Sequence, residues 1–152
     1  MGHPSLLPVL LVFLLPLSPL MAAVGIAVFG IHRRRLSATL AIGGVLVSFV
    51  CALLLFLDSL RSAGAFPLEA NVEWLVLPDL VIPFGVLIDQ LSLLMSFVVT
   101  GVGGAIFIYS LGYMADDKGY SRYFALLSLF VFSMLTIVLA NNWIELFIGW
   151  EL

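Results

Sequence analysis

Charge is what this sequence most lacks. Only six of its 152 residues are Lys or Arg and nine are Asp or Glu, so 10% of the chain is charged, where a soluble domain carries roughly 25%. Cysteine is nearly missing too. Cys51 stands alone inside an apolar stretch, which excludes a disulfide framework and a cysteine metal cluster. The formal net charge of −3 leaves no basic footprint for nucleic acid, so no nucleic-acid partner is expected. Internal repeats, low-complexity tracts and any soluble domain are also absent. What remains is apolar: 63% of residues are hydrophobic and the mean hydropathy is +1.24. A water-soluble fold of this size could not bury so much apolar surface, and the lipid bilayer is the expected solvent.

A spanning helix needs about 20 mostly apolar residues. Asp, Glu, Lys and Arg are missing from Pro4 to Ile31, from Leu36 to Leu57, from Gln90 to Ala115 and from Tyr123 to Ile144. These runs predict transmembrane helices over about 5–31, 37–57, 90–112 and 122–140. A fifth, over 142–152, stops after about half a membrane thickness. The first run is not a signal peptide. No Lys or Arg precedes it, its apolar part is too long, and Arg33, Arg34 and Arg35 follow it as a stop-transfer flank. Pro8, Pro16 and Pro19 predict a bent first helix, which neighbours in a bundle tolerate.

Alternation of the spans puts loops 32–36 and 115–122 on one side, with Arg33, Arg34, Arg35, Lys118 and Arg122. Only Arg61 falls on the other. The positive-inside rule makes that side cytoplasmic and the N-terminus extracytoplasmic, in a multi-pass protein of the cell inner (plasma) membrane. The stretch 58–89 is too polar at its start to span. Two β-favouring runs, Val72–Leu77 and Leu80–Val86, flank the turn signal Pro78-Asp79 and predict an outer β-hairpin, with Pro83 keeping its strand irregular or at an edge. The competing reading is an irregular loop on the helix ends. Asp89 fits a cap for the third helix.

Few residues can carry chemistry. Counted from Asn142, Glu151 lies nine residues into the fifth helix, about 13 Å at 1.5 Å per residue, near the middle of a hydrocarbon layer about 30 Å thick. Ionisable groups at that depth usually face a bundle interior and mark ion or proton pathways. The bland alternative is a buried, permanently neutral carboxyl. Glu145, one turn in, reads as an interfacial partner of the helix dipole. Asp116, Asp117, Lys118 and Arg122 read as a solvated loop, and Asp58, Glu69, Glu73 and Asp79 as surface charges. Gly101, Gly103 and Gly104 lie inside a helix, so they form no dinucleotide loop. Like Gly25, Gly30, Gly43 and Gly44 they suit close helix packing. His32, beside three arginines, reads as a loop residue and His3 says nothing.

The ordered runs Ile88–Met95, Val99–Gly103, Tyr109–Met114, Gly119–Phe124, Leu129–Met134 and Ile148-Gly149-Trp150-Glu151-Leu152 together resemble the antiporter-like subunits of NADH-quinone oxidoreductase (respiratory complex I), most closely the L-type, mitochondrial chain 5-type subunit. The match is good over residues 72–152, and the first two helices fit only in character. The resemblance implies an all-α integral membrane bundle with a short extracytoplasmic hairpin between helices 2 and 3. It implies a proton-translocating subunit of a translocase whose partners are the bilayer and other membrane subunits. It also implies a proton-pathway role for Glu151, which in that family works with a lysine on helix 7 that this sequence does not contain. No redox site and no cofactor is expected in this chain, and Asp89 keeps a structural role. Because Glu151 and Leu152 would end near mid-membrane, the chain is expected to be an N-terminal fragment. The other readings are the large subunit of a multi-subunit sodium/proton antiporter, the membrane subunit of a carbon-dioxide-hydrating complex, and a purely structural anchor.

Overall fold

A computed structural model of the chain describes residues 6–31, 33–61, 67–77 and 80–152, without the side chains of residues 6, 7, 73, 75–77 and 80–82. The turn expected at Pro78-Asp79, and the readings of His3, His32 and Asp79, lie outside the described residues. Helix α1 runs Leu6–Gly25 and ends in a π-helical turn, Ile26–Gly30. It is followed by α2 (Arg34–Arg61), strands β1 (Leu68–Leu77) and β2 (Leu80–Ile88), then α3 (Gln90–Tyr113), α4 (Tyr120–Leu139) and α5 (Trp143–Glu151). The expected all-α membrane bundle with a hairpin between its second and third helices is therefore the fold observed.

Four helices are long and apolar enough to cross a bilayer, and only 28–33% of their most apolar windows is buried within the chain. The outward faces carry Leu10, Phe29, Ile108, Leu126 and Phe130, all exposed. A soluble helix turns polar residues outward. Here lipid or protein neighbours must cover the surface, and the chain is a multi-pass membrane protein. Helix α2 is longer than its charge-free run, because Arg34, Arg35, Asp58 and Arg61 occupy its two ends, where long side chains reach water while their stems stay apolar.

Helix α4 sits centrally, packing on α1, α2, α3 and α5, while α2 also packs on α1 and α3. Leu15, Ile26, Val45, Leu55, Phe107, Phe124 and Leu135 form the buried core. The expected close approach occurs at Gly44, where a Cβ would lie 2.7 Å from Ala22 Cβ and 3.0 Å from Ser18 O. It occurs also at Gly30, where a Cβ would lie 2.9 Å from Ser37 Oγ, whereas one at Gly103 would make only ordinary contact with Val131 at 3.5 Å. Gly43 and Gly104 differ, for a Cβ at either would meet nothing within 4 Å.

Proline shapes α1 as expected, and the neighbouring helix compensates. Pro19 lacks the N–H that would bond the carbonyl of Leu15 four residues back. Ser48 Oγ, on α2, donates to that carbonyl at 2.6 Å, and Ser18 Oγ lies 2.7 Å from Ser48 Oγ and 3.0 Å from Gly44 O. Lipid offers no alternative donor, so a neighbour's hydroxyl is one means by which a spanning helix keeps an internal proline.

The hairpin is antiparallel from Leu68↔Ile88 to Leu77↔Leu80, with a register shift between Glu73 and Leu75 opposite Pro83 and Ile82. Pro83 has no N–H for the ladder, and an extra residue on the facing strand accommodates the gap. Asp89 follows β2 and caps α3. Its carboxylate accepts from Ser92 N at 2.7 Å while Ser92 Oγ accepts from Asp89 N at 2.9 Å. This reciprocal box satisfies two otherwise orphaned groups.

Candidate functional site

Helix α5 carries the residue singled out for chemistry, and two contacts set its position. Asn142 is the N-cap, accepting from Glu145 N at 2.9 Å. Further along, Gly149 is pressed on α4, where a Cβ would meet Ile137 Cγ1 at 3.0 Å and Ile137 N at 3.2 Å. Ser133 Oγ of α4 donates to Gly149 O. Glu145 and Gly149, one turn apart, share the buried face.

Glu151 is two residues past Gly149, roughly 200° around the helix, and therefore faces away from α4. It is exposed, as is Trp150. Among the described residues it makes no ion pair and no hydrogen bond. The glycine of Gly149-Trp150-Glu151 thus gives the close approach, while the glutamate points out of the α1–α5 packing.

Glu145 takes the helix-dipole position expected of it and is also buried, which the sequence did not announce. It sits in the first turn of α5, where a carboxylate suits the helix dipole, but it is only 5% exposed. Strand β2 folds across it, and Gly85 N donates to Glu145 Oε2 at 3.4 Å. Three more contacts fasten the same strands to this helix start. Val86 bridges Ala140, Asn142 Nδ2 donates to Pro83 O at 2.8 Å, and Asn141 Nδ2 donates to Asn71 Oδ1. Gly85 is required there, since a Cβ would come within 2.6 Å of Ala70 O and 2.7 Å of Asn141 Nδ2. Nothing in the local sequence of α5 announces this cover, because the covering strand lies 60 residues earlier.

A buried set of hydroxyls also went unread in the sequence. Ser37, Ser48 and Ser59 on α2, Ser92, Ser96 and Thr100 on α3, and Ser121, Ser128 and Ser133 on α4 are all buried. Ser37 Oγ donates to Ser121 Oγ at 2.9 Å, and Ser110 Oγ lies 3.0 Å from Tyr123 OH. Ser96 Oγ is buried with no partner among the described residues. The available signal was spacing. Ser37, Ser48 and Ser59 stand eleven residues apart, about three helical turns, and so share a face.

At the other end of the bundle the two basic loops meet. Arg34 donates through Nη1 to Ala115 O and through Nη2 to Asp117 O at 2.9 Å, with its guanidinium 5.7 Å from the Tyr120 ring centroid. Asp116, Asp117, Lys118 and Arg122 are exposed, as the solvated-loop reading expects, and so is Glu69. Asp58 is half-buried. Among the described residues no three His, Cys, Asp or Glu side chains gather as a metal site.

Known proteins are similar to this sequence. Residues 74–124 match the family described as NADH-ubiquinone oxidoreductase (complex I), chain 5 N-terminus. The chain is 39% identical over 143 residues to NADH-quinone oxidoreductase subunit L of Neisseria meningitidis, covering 93% of this chain and 21% of that protein. It is 38% identical over 139 residues to subunit L of Mycobacterium tuberculosis, covering 86% and 21%. With the chloroplastic NAD(P)H-quinone oxidoreductase subunit 5 of Zygnema circumcarinatum it shares 36% identity over 148 residues, 93% and 21% of the two chains. The chain spans about a fifth of the length of these curated relatives.

Proposed function

We propose, from the premise that over the stretch they share this chain belongs to the complex I chain 5 (subunit L) family, that it forms part of a proton-translocating membrane subunit of an NADH:quinone oxidoreductase. The chain takes part in coupling and performs no redox step. The observation that carries the reading is the 39% identity with a subunit L over 93% of the chain. Its partners in this reading are the bilayer and the other membrane subunits of the complex.

In the proposed topology α1 to α4 cross the membrane of the cell and α5 begins a fifth crossing. The hairpin lies outside with the N-terminus, and loops 32–36 and 115–122 lie in the cytoplasm. The meeting of those basic loops at one end through Arg34 supports this, since the positive-inside rule needs them on a common side. Glu151 is the proposed proton carrier. It is an acid on an apolar helix, turned from α4 and reachable by a further segment, and its protonation would follow the arrival and departure of a cationic partner.

The test is Glu151→Gln in the full-length protein assembled with its partners. In inverted membrane vesicles the NADH-driven proton gradient should fall to near background, while NADH oxidation by a soluble artificial acceptor is unchanged. An undiminished gradient in a correctly assembled complex would leave Glu151 outside the pathway and favour a structural role.

A further inference from the structure

Two open furrows run along α2, the first from its basic end and the second from Thr39, one turn further in. One, of about 720 Å³, lies against α3 and α4 and is bordered by Arg34, Arg35, Ile42, Leu46, Leu111 and Tyr120. The other, of about 520 Å³, lies against α1 and is lined by Leu14, Leu17, Met21, Leu40 and Val47. Thr39 and Gly43 border both, so the furrows part at one saddle below the arginines. Gly43 keeps the saddle low, since a Cβ there would meet nothing within 4 Å. We propose that this forked groove binds one anionic diacyl phospholipid of the leaflet on the basic-loop side, its phosphate at Arg34 and Arg35 and one acyl chain in each furrow.

Charge, shape and length support that occupant. Arg34 joins the two loops, so five basic residues (Arg33, Arg34, Arg35, Lys118 and Arg122) stand against two acidic ones (Asp116 and Asp117), an excess of three positive charges. Basic pockets between helices on this side suit anionic head groups. Arg34 is held rigid by its two carbonyls and by Tyr120, while the exposed Arg35 is turned to the groove rim. Below the rim the walls are almost wholly apolar. From Arg34 to Leu46 is twelve residues, about 18 Å of helix, close to the ~15 Å depth of one leaflet of hydrocarbon. A protein segment could cover an apolar groove, but neither the fork nor the basic mouth would then be needed. The proposal depends on the chain lying in a membrane and not on its carrying protons.

The experiment reconstitutes the whole protein in vesicles containing a photoactivatable phosphatidylglycerol or, separately, the matched phosphatidylcholine, and maps labelled peptides by mass spectrometry. Phosphatidylglycerol should label the Thr39–Leu46 and Leu111–Ala115 peptides in preference. Arg35→Gln, a surface change that leaves the Arg34 clamp intact, should lower that labelling about fivefold, the effect of one basic residue near an anionic lipid. Arg61→Gln, at the opposite end of α2, should leave it unchanged. Gly43→Leu should fill the saddle and lower labelling with every charge in place, and if that variant misfolds, Arg35→Gln decides. Equal labelling by the two head groups, wild-type labelling in Arg35→Gln, or cross-links only to another protein segment would each overturn the proposal.

Discussion

The two ends of the bundle solve the same problem by opposite means. At the hairpin end β2 folds over the start of α5, and polar groups are matched to backbone: Asn142 to Pro83 O, Gly85 N to Glu145. The result is a closed cover with a carboxylate beneath it. At the basic end Arg34 ties the loops together across the surface, with the buried Ser37–Ser121 hydrogen bond beneath it, and the groove beside it stays open. Between them the helices are joined by hydroxyls such as Ser48. Polar contact therefore fixes geometry throughout an apolar protein.

The most damaging change should fall at the closed end. Gly85→Val has no room between Ala70 O and Asn141 Nδ2, and overpacking a filled site costs about 1–3 kcal/mol. We expect the upper part of that range, with the cover displaced from α5. Hydrogen exchange should then show faster opening of β2 and of the first turn of α5, while α1 and α2 keep their protection. Uniform loss of protection would mean that the two ends are one cooperative unit. A smaller effect is expected inside the bundle. Ser48→Ala leaves Leu15 O, already orphaned by Pro19, without its donor. Interhelical hydrogen bonds of this kind contribute roughly 0.6–1.7 kcal/mol, so unfolding in mixed micelles should shift by about 1 kcal/mol. The sharper check is Ser48→Ala combined with Pro19→Ala. Restoring the N–H at position 19 should recover most of that loss, and a double variant no better than Ser48→Ala would show that Leu15 O was never the group at stake.

How far these features could be read from the sequence depends on how local their cause is. The spans were legible because a charge-free run of about 20 residues has few fates outside a bilayer. The hairpin was legible from β-favouring runs around a turn signal, and the Asp89 cap from its place before an apolar helix. The ends of α2 were not, because Arg34, Asp58 and Arg61 interrupt the apolar run without interrupting the helix. The burial of Glu145 was invisible, since its cover comes from Gly85, 60 residues away. Ser48 shows the intermediate case. Its eleven-residue spacing from Ser37 and Ser59 was in plain view, and so was Pro19. Only the crossing of α1 over α2 reveals that one answers the other. For the candidate site, Gly149-Trp150-Glu151 was legible as a motif, while the division of labour within it, Gly149 packed and Glu151 turned outward, needed the position of α4.

The smallest effects lie in two adjacent glycines and reduce the comparison to a single peptide bond. Gly44 faces α1 with Ala22 Cβ 2.7 Å from where its own Cβ would stand, whereas Gly43, next to it, faces the open groove. Replacing a helical glycine by alanine removes a backbone-entropy penalty of about 1 kcal/mol. At position 43 nothing opposes that gain, so Gly43→Ala should stabilise the protein by up to about 1 kcal/mol. At position 44 the gain is set against forcing α1 and α2 apart, which costs about 1–3 kcal/mol and also lengthens the Ser18 bond to Gly44 O. Gly44→Ala should therefore be destabilising, by about 1 kcal/mol net. Opposite signs in parallel micelle unfolding curves would locate the close approach on the α1 side alone. Equal destabilisation would mean that position 43 is also covered, and the groove beside it is then closed in the membrane.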